Sequence, residues 1–381
     1  MKWEFEPTGS ATEFFDRASI MIKQPEVRGL MVLAGEDNQW TPDLLDPLLR
    51  MLDVPLFGGI FPQVLVDQKN VSKGTLIIGL PVVPSVLVVY GLSNPEANYG
   101  PLLAAAAEEW GSKGLSSGDT LIVLVDGMSQ RIGALVDDLF YGFGLEPSYL
   151  GGGAGSITFE QRPCLITPQG LVMDAAIIGH LPVASGIGVA HGWEVVSESV
   201  KVTEVDRNVI RSLNWQSPFE VYQSLIHAHR GDHITQDNFF DSAKCYPFGI
   251  TKLGSEVVVR DPVQVTDEGH LVCVGEVPAG AFIRLLHGSP ESLIAAAQRA
   301  RQLAEEAAAP ALADGRFDLL FDCISRVLIL GDRIGDELKA AAPSGTLLGA
   351  FSLGEIANNG KEYLEFYNKT AVCGVLGAKE K

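Results

Sequence analysis

The feature that most constrains the fold is a unit that the sequence repeats three times. Each copy has an apolar run that predicts a β-strand, a helical stretch, and a second apolar run that contains glycines. In order, the predicted strand, helix and strand are Met31–Gly35, Thr41–Leu52 and Val54–Ile60; Thr120–Gly127, Ser129–Phe143 and Ser148–Ser156; and Arg326–Asp332, Arg333–Ala342 and Thr346–Ile356. Glycine-rich backbone at the ends of strands is typical of places where a small molecule sits.

Helical periodicity and end signals support the helices of these units. In the first unit, Thr41 offers a capping oxygen and Pro42 suits the first helical position. We expect further helices over Pro101–Trp110 and over the alanine-rich segment Glu291–Ala309, which Pro310 ends. The helix of the second unit places these apolar residues on one face: Ile132, Leu135, Val136, Leu139, Phe140 and Phe143.

The segments between the units predict antiparallel hairpins rather than βαβ units. Short β-prone runs with turns occupy 164–202, with a turn at Gln169-Gly170, and 255–286, with a turn at 267–269. The sequence therefore predicts an α/β fold, mixed α+β, of two closely packed halves that each combine βαβ-like units with hairpins. We place the boundary near Ser217, which gives domains over residues 1–216 and 217–381.

The charge of the chain excludes several classes of partner. It carries 28 Lys and Arg against 47 Asp and Glu, a net charge of −19. Contacts with phosphates need clustered Lys and Arg, so we expect no nucleic-acid partner and no attraction to an anionic membrane surface.

The cysteines and the apolar segments indicate a cytoplasmic location. The five cysteines are far apart, without the close pairs of a disulfide framework or a zinc ribbon. The first residues carry acids and no apolar core, so we expect no signal peptide. The uncharged segment Thr75–Leu92 is broken by Gly79, Pro81 and Pro84, so we expect two buried strands there and no membrane insertion.

The sequence HAHRGDH is the strongest metal candidate. It contains His227, His229, Asp232 and His233 and nearly resembles the HxHxDH loop of metallo-β-lactamase-type hydrolases, with one extra residue before the aspartate. The preceding residues predict a helix rather than the strand of that motif, and residues two apart on a helix face different sides. We therefore expect a polar surface turn and no metal site.

The glycine-rich loops do not match a nucleotide site. GGGAGS (Gly151–Ser156) follows a predicted strand but lacks the Lys-Ser/Thr of a P-loop and the last glycine of the dinucleotide fingerprint. We expect no cofactor. Gly152 and Gly153 either let two strands cross closely or line a ligand cavity with backbone.

Two residues are candidates for a nucleophile, Cys323 in LLFDCISRVLIL and Ser156. The sequence has no G-x-S-x-G elbow, and no histidine is close to either residue. In the predicted strand, Cys323 and Arg326 point to opposite faces, so the guanidinium would not activate the thiol. We expect a buried, inert cysteine and no catalytic residue.

Three charged residues are candidates for ligand contacts. Glu355 lies in a glycine-rich turn after an apolar run, where it could receive an ammonium group. Arg260 and Arg326 could hold a carboxylate with paired hydrogen bonds. The alternative for each is a solvated charge or a structural ion pair.

These pieces together resemble the FIST family, the F-box and intracellular signal transduction proteins. The resembling runs keep their order from about Arg28 to Leu376, and it is the ordered set that is specific. They are LGGGAGS (150–156), GIGVAHGW (186–193), VTEVDRNVIRSLNWQSPFEVY (202–222), EVVVR (256–260), VPAGAFIRLL (277–286), FDCISR (321–326), GAFSLGEI (349–356) and YNKT (367–370).

The resemblance implies a sensory module that binds a small molecule such as an amino acid. Cys323, Arg326, Ser352, Glu355 and Asn368 match the family pattern, and we assign an anion to Arg326, a cation to Glu355 and a polar contact to Asn368. Two acids of the family pattern are missing, one from GGIFPQVL (58–65) and one at Ser156. The predicted ligand-binding set is therefore Gly152, Gly153, Ser156, Arg260, Cys323, Arg326, Ser352, Glu355 and Asn368.

Family members are often fused to a signalling output, whereas the two halves here occupy essentially all 381 residues. We therefore expect a separate signalling protein as partner, and a homo-oligomer is left open. Two alternatives also stay open: an enzyme of acyl or amide chemistry that uses Cys323 or Ser156, and an interaction scaffold without a ligand.

Overall fold

A computed structural model describes residues 1–251, 257–308, 316–342, 346–358 and 364–378. The α-helices are α1 (Ala11–Met21), α2 (Pro42–Leu49), α3 (Gly100–Ser112), α4 (Ile132–Phe143), α5 (Pro218–Arg230), α6 (Phe239–Ala243), α7 (Pro290–Ala307), α8 (Ile324–Leu330) and α9 (Ile334–Ala341). Short 3₁₀ helices cover Glu36–Asn38 and Gly331–Arg333. With the strands below, these helices make a mixed α+β fold, as the sequence predicts.

The described residues also form 24 strands. They are β1 (Lys2–Glu6), β2 (Gly29–Gly35), β3 (Leu56–Phe61), β4 (Gln63–Val66), β5 (Lys69–Val71), β6 (Thr75–Leu80), β7 (Ser85–Tyr90), β8 (Asp119–Asp126), β9 (Ser148–Ala154), β10 (Leu165–Thr167), β11 (Gly170–Val172), β12 (Ala175–Ala190), β13 (Glu194–Val195), β14 (Val200–Asp206), β15 (Val209–Leu213), β16 (Phe248–Thr251), β17 (Val257–Val265), β18 (Leu271–Val274), β19 (Phe282–His287), β20 (Phe317–Cys323), β21 (Leu347–Ser352), β22 (Glu355–Asn358), β23 (Leu364–Tyr367) and β24 (Ala371–Gly377).

The repeated unit is present three times as a pair of parallel strands with a helical connection. The pairs are β2 with β3, β8 with β9, and β20 with β21. In α4, the predicted face packs inward, with Ile132, Leu135, Val136, Leu139 and Phe143 all buried. Phe140 is the exception among the predicted face residues, because it is 41% exposed.

The first strand of the third unit lies earlier in the chain than the sequence predicts. The run Arg326–Asp332 is not a strand: α8 covers Ile324–Leu330, and the strand is β20, Phe317–Cys323. An uninterrupted apolar run fits a buried strand and a buried helix equally well, which explains the error. As a result, Cys323 ends a strand, and Arg326 lies in the first turn of a helix.

Most of the other expected helices and hairpins are present, but the segment 164–202, where we expected short strands, contains the 16-residue strand β12. The helix predicted over 291–309 is α7, and Ala309 lies outside the described residues. β10 and β11 form the hairpin at Gln169-Gly170, and β17 and β18 flank the turn at 267–269, whereas Ser255 and Glu256 lie outside the described residues. Thr75–Leu92 contains β6 and β7. Among the described residues, no helix is both long and apolar enough to cross a membrane.

The largest sheet combines strands from both parts of the chain. Its order is β23-β22-β9-β8-β12-β24-β20-β21-β4-β5, and β7 adds to β12. The long strand β12 pairs with β8 through its first part and with β24 through Ala184–Ala190. Residues on the two sides of Ser217 therefore share one hydrogen-bonded sheet, and α7 packs across β12 and β24.

Two smaller sheets complete the described fold. One has the order β1-β6-β2-β3-β10-β11 and packs its apolar strands against the large sheet. The other has the order β13-β19-β14-β15-β18-β17-β16, and β16 also pairs with β19. That last pairing closes six strands into a small barrel around Val202, Tyr222, Phe248 and Ile283.

Candidate functional site

The carboxyl ends of two βαβ units meet at a close backbone crossing. The Gly153 N–H donates to the Gly354 carbonyl at 2.8 Å, and the Leu353 N–H donates to the Gly153 carbonyl at 2.8 Å. A Cβ atom on Gly153 would lie 2.4 Å from the Leu353 oxygen, and one on Gly152 would lie 2.9 Å from the Ser352 Cβ. Gly152 and Gly153 thus let the turn after β21 pass against β9, and neither glycine lines the adjacent cavity.

The cavity beside this crossing has a volume of about 670 Å³. One wall comes from the large sheet: the residues after β8, the start of α8 and the Leu353-Gly354 turn. The small barrel and α6 supply the other wall. Most of the lining is apolar and includes Met128, Ile132, Phe159, Phe240, Val263, Val272, Val274, Ile324, Leu328, Leu353 and Phe366. The cavity therefore lies between the large sheet and the barrel.

The lining also contains polar residues, which include Ser129, Gln130, Asn208, Gln264, Glu276 and Ser325, and at one end it carries an ion pair. The Lys369 ammonium lies 2.9 Å from Asp261 Oδ2 and donates to the Lys244 carbonyl at 2.9 Å. It also lies over the Trp193 ring, 5.5 Å from the centroid. Lys369 has a φ of 52°, a left-handed conformation that is uncommon for a residue other than glycine. The contacts of the Lys369 side chain hold this conformation in place. We call Asp261, Asn368 and Lys369 the polar end of the cavity.

Two oxygens of the polar end have no hydrogen-bond partner among the described residues: Asp261 Oδ1 and Asn368 Oδ1. Asp261 is 8% exposed and Asn368 is 1% exposed. The Asn368 amide nitrogen donates to the Tyr367 carbonyl at 3.1 Å. Burial raises the pKa of Asp261, and the Lys369 ammonium opposes that rise. A buried acceptor without a hydrogen-bond partner costs folding free energy, and few such atoms occur in folded proteins. The polar end is therefore unusual in holding two of them.

Arg326 lies outside the cavity lining and is fully buried in a network of protein acceptors. Its Nε and one terminal nitrogen bind both oxygens of Glu337 at 2.9 and 3.0 Å, and Asp322 Oδ1 lies 3.1 Å from Nε. The other donors bind the carbonyls of His191, Lys369 and Leu293. These bonds use all five N–H groups of the guanidinium, so Arg326 has no donor left for a ligand anion.

Glu355 and Ser352 are also fully buried behind the cavity rather than in its lining. The Ser352 hydroxyl donates to Glu355 Oε1 at 2.9 Å, and the Thr370 N–H donates to Oε2 at 3.3 Å. Burial raises the pKa of Glu355 well above its ordinary value, and the Asp322 carboxylate raises it further. In this structure the protein itself satisfies the carboxyl for which we expected a ligand cation.

Cys323 does line the cavity, as a side chain that is 6% exposed. The Ser325 hydroxyl donates to its sulfur at 3.1 Å. Burial and the nearby Glu355 carboxyl raise the pKa of the thiol to about 12, so almost none of it is thiolate at neutral pH. No histidine is among the described residues that line the cavity.

The remaining predicted site residues lie outside the lining. Arg260 donates to Glu365 Oε1 at 3.1 Å and to the carbonyls of Glu276, Phe366 and Val259. These contacts fix the barrel strand β17 to β23. Ser156 is buried, and its hydroxyl lies 3.0 Å from that of Thr158. The structure therefore brings Cys323 and Asn368 together at the cavity and leaves the other predicted residues in structural roles.

The sequence reasoning missed Asp261 and Lys369, the two charged residues of the polar end. A signal for each exists in the sequence. Asp261 is an acid inside the apolar run VVVRDPVQV, and Lys369 is a cation between the apolar segments that became β23 and β24. A charge within a buried strand needs a partner of opposite sign, but local sequence does not say which one.

The histidine motif lies away from the cavity lining, at the end of α5. The rings of His227 and His233 are 4.8 Å apart, and His229 Nδ1 lies 3.2 Å from the Tyr246 hydroxyl. The residues up to Arg230 form a helix, as expected. Within the described part of the chain, no group of three or more His, Cys, Asp or Glu side chains is arranged to hold a metal ion.

The two parts of the chain match two family models. The FIST N domain matches residues 29–216, and the FIST C domain matches residues 218–358. The chain belongs to the FIST family. FIST domains are small-ligand sensory domains of signal transduction, which agrees with the resemblance seen in the sequence.

Other comparisons add little to this assignment. A search of the curated proteins finds no match for this FIST protein. Among solved structures, it is similar to a crystal structure of a chorismatase, with 12% identity over 99% of this chain and 98% of that one. The TM-score is 0.33, which is too low to support an argument about fold or activity.

Proposed function

We propose that this FIST protein is a cytoplasmic sensor that binds a small ligand in the cavity between the large sheet and the small barrel. The observation that carries the proposal is the combination of an apolar cavity of about 670 Å³ with buried, unpartnered oxygens at one end. Ligand sites commonly have this composition, with apolar walls for affinity and few polar groups for orientation. The finer ligand class that we propose is an amino acid or a related metabolite.

Binding without catalysis fits the chemistry of the lining better than an acyl-transfer enzyme does. The Cys323 thiol has a raised pKa and a hydroxyl donor rather than a base beside it. Ser156 is outside the lining, so it does not reach a bound molecule. We therefore propose no catalytic residue, and a separate signalling protein that reads the bound state.

The test is to identify what the purified protein carries and whether it sits in the cavity. Native mass spectrometry of the freshly purified protein should show a mass beyond the polypeptide, which denaturation releases. A variant Leu328→Trp places a larger side chain on one of the α8 residues that line the cavity, and should lose this mass. Leu44→Trp is the matched control, because Leu44 is an exposed helical leucine, 48% exposed, that does not line the cavity.

A thermal-shift screen with amino acids and related metabolites gives the second readout. A ligand at 100 times its dissociation constant stabilises the folded state by about 2.7 kcal/mol. The proposal is wrong if no form of the protein carries a ligand and no metabolite raises the melting temperature. It is also wrong if Leu328→Trp and wild type respond to the same ligand equally.

A further inference from the structure

The unpartnered atoms at the cavity are all of one chemical type. In the described part of the chain, the buried side-chain atoms without a hydrogen-bond partner are Gln24 Oε1, Asp261 Oδ1, Asp322 Oδ2 and Asn368 Oδ1. All are oxygens, and Asp261 and Asn368 line the cavity. Oxygens of carboxylates and amides accept hydrogen bonds, so a ligand that binds at the polar end needs hydrogen-bond donors there.

The cations at the cavity are already engaged by the protein. Asp261 Oδ2 and the Lys244 carbonyl hold the Lys369 ammonium. The Lys244 ammonium lies 3.2 Å from Asp241 Oδ1. The Lys244 pair is partly exposed, but at Lys369 a ligand carboxylate would compete with a buried partner, whereas a ligand ammonium would meet acceptors that lack one.

We infer that the cavity binds a primary amine with an apolar body and no carboxylate, whose ammonium group donates to Asp261 Oδ1 and Asn368 Oδ1. This inference rests on the proposed function and narrows the ligand class. The apolar body lies along the walls formed by Val263, Leu328 and Phe366, where burial of apolar area supplies affinity. Phe366 adds an aromatic face to this wall.

The test compares amines with acids of the same body. Isothermal titration calorimetry is run on the full chain with 2-phenylethylamine, phenylalanine and 3-phenylpropionate, and with pentylamine, norleucine and hexanoate. The amine of at least one series should bind at least about 10-fold more tightly than its amino acid and its acid, as expected for an unpaired carboxylate acceptor. Tighter binding of the amino acid or the acid overturns the inference, and so does a lack of binding by all six probes.

Variants locate the binding at the polar end. Asp261→Asn should weaken amine binding about 10-fold or more, and Asn368→Leu, which keeps the shape but removes the acceptor, by about fivefold. Asp318→Asn is the matched control: Asp318 is a buried, ion-paired carboxylate outside this cavity, bonded to Arg301 at 2.9 Å. Because Asp261 also pairs with Lys369, melting curves must show that its variant folds, and Asn368→Leu gives an independent reading.

The outcomes separate this inference from the proposed function. One possible result is that an amino acid binds, that Leu328→Trp abolishes this binding and that Asp261→Asn leaves it unchanged. This result would support the sensor cavity but overturn the inference that the ligand is an amine. Equal effects of Asp261→Asn and Asp318→Asn overturn the amine as well. If no probe binds and the purified protein carries no ligand, both proposals fail.

Discussion

Two buried polar regions lie close together in this protein and differ in how completely they are satisfied. Around Arg326, every guanidinium donor has a protein acceptor, and the one unpartnered oxygen, Asp322 Oδ2, lies on a residue outside the cavity lining. At the polar end of the cavity, Asp261 and Asn368 each keep an oxygen without a partner. The Lys369 carbonyl belongs to the first region and its ammonium to the second, so one residue joins them. The comparison teaches that neither buried charge nor an unpartnered oxygen alone identifies a binding site; the unpartnered oxygens of Asp261 and Asn368 differ from that of Asp322 because their residues line a cavity.

The largest expected effect on stability comes from removing Arg326 from its buried network. Arg326→Met should destabilise the fold by about 3–5 kcal/mol, because it leaves Asp322 and Glu337 buried without their cation. Urea denaturation measures the loss. Arg333→Met is the control, since Arg333 makes ion pairs to Glu291 and Asp336 that are largely exposed, and it should cost far less. Equal losses in the two variants would show that the buried network is not special.

The second prediction concerns Gly153, which belongs to neither polar region but packs against the Leu353-Gly354 turn of the cavity wall. Gly153→Ala should cost about 1–3 kcal/mol, because its Cβ would lie 2.4 Å from a backbone oxygen that cannot move freely. Chemical denaturation checks this value. The control is Gly111→Ala in α3, where a Cβ meets no atom within 4 Å and a helical alanine stabilises slightly. A neutral Gly153→Ala would mean that the crossing of β9 and the turn is loose.

A third prediction concerns Glu355 and how the stability of the fold depends on pH. Because the pKa of Glu355 is raised in the folded chain, the folded protein keeps a proton that the unfolded chain releases. The contribution of Glu355 to the free energy of unfolding is full below the ordinary pKa of glutamic acid, 4.5, and it declines as the pH rises toward the raised pKa. Glu355→Gln should flatten this decline.

Denaturation of both proteins from about pH 5 to about pH 8 measures the slope. The amide introduced by Glu355→Gln can accept from the Thr370 N–H and donate to the Ser352 hydroxyl, which can then donate to the Asp322 carbonyl at 3.3 Å. The exposed Glu306→Gln variant should keep the wild-type slope. If Glu355→Gln keeps it too, Glu355 is ionised throughout and the raised pKa is wrong.

The smallest expected effect is a lack of reaction at Cys323. Its thiol pKa of about 12 leaves very little thiolate, so iodoacetamide at neutral pH should modify it slowly. Peptide mass spectrometry after timed labelling compares it with Cys245, which is less buried and should react sooner. Rapid, selective alkylation of Cys323 would instead favour the enzyme alternative.

The sequence predicted the repeated units because their helices carry strong periodic patterns and end signals. The second unit is the clearest case, where α4 buries five of the six predicted face residues. The third unit was placed correctly in its helix α9 and strand β21 but not in its first strand. The run that follows Arg326 is apolar at every position to Leu330, so its pattern has no period that distinguishes helix from strand.

The site was only partly predictable, because its geometry depends on long-range pairing. Cys323 and Asn368 were found since they lie in motifs that resemble the family pattern. The pairing of Asp261 with Lys369 joins residues more than a hundred positions apart, and strand register decides it. The same holds for Arg326, whose partner Glu337 is local but whose carbonyl acceptors come from three distant segments.

The long strand β12 limits how this protein can transmit a signal. Its seven residue pairs with β24, from Ala184 to Ala190, continue the ladder that its earlier residues make with β8. A hinge rotation that separates β12 from β24 would break these backbone hydrogen bonds, and a buried backbone group that loses its partner costs free energy. The ladder therefore holds strands from both parts of the chain in one sheet, and a change on ligand binding that keeps it intact has to lie outside it, for example in the small barrel that forms the other cavity wall.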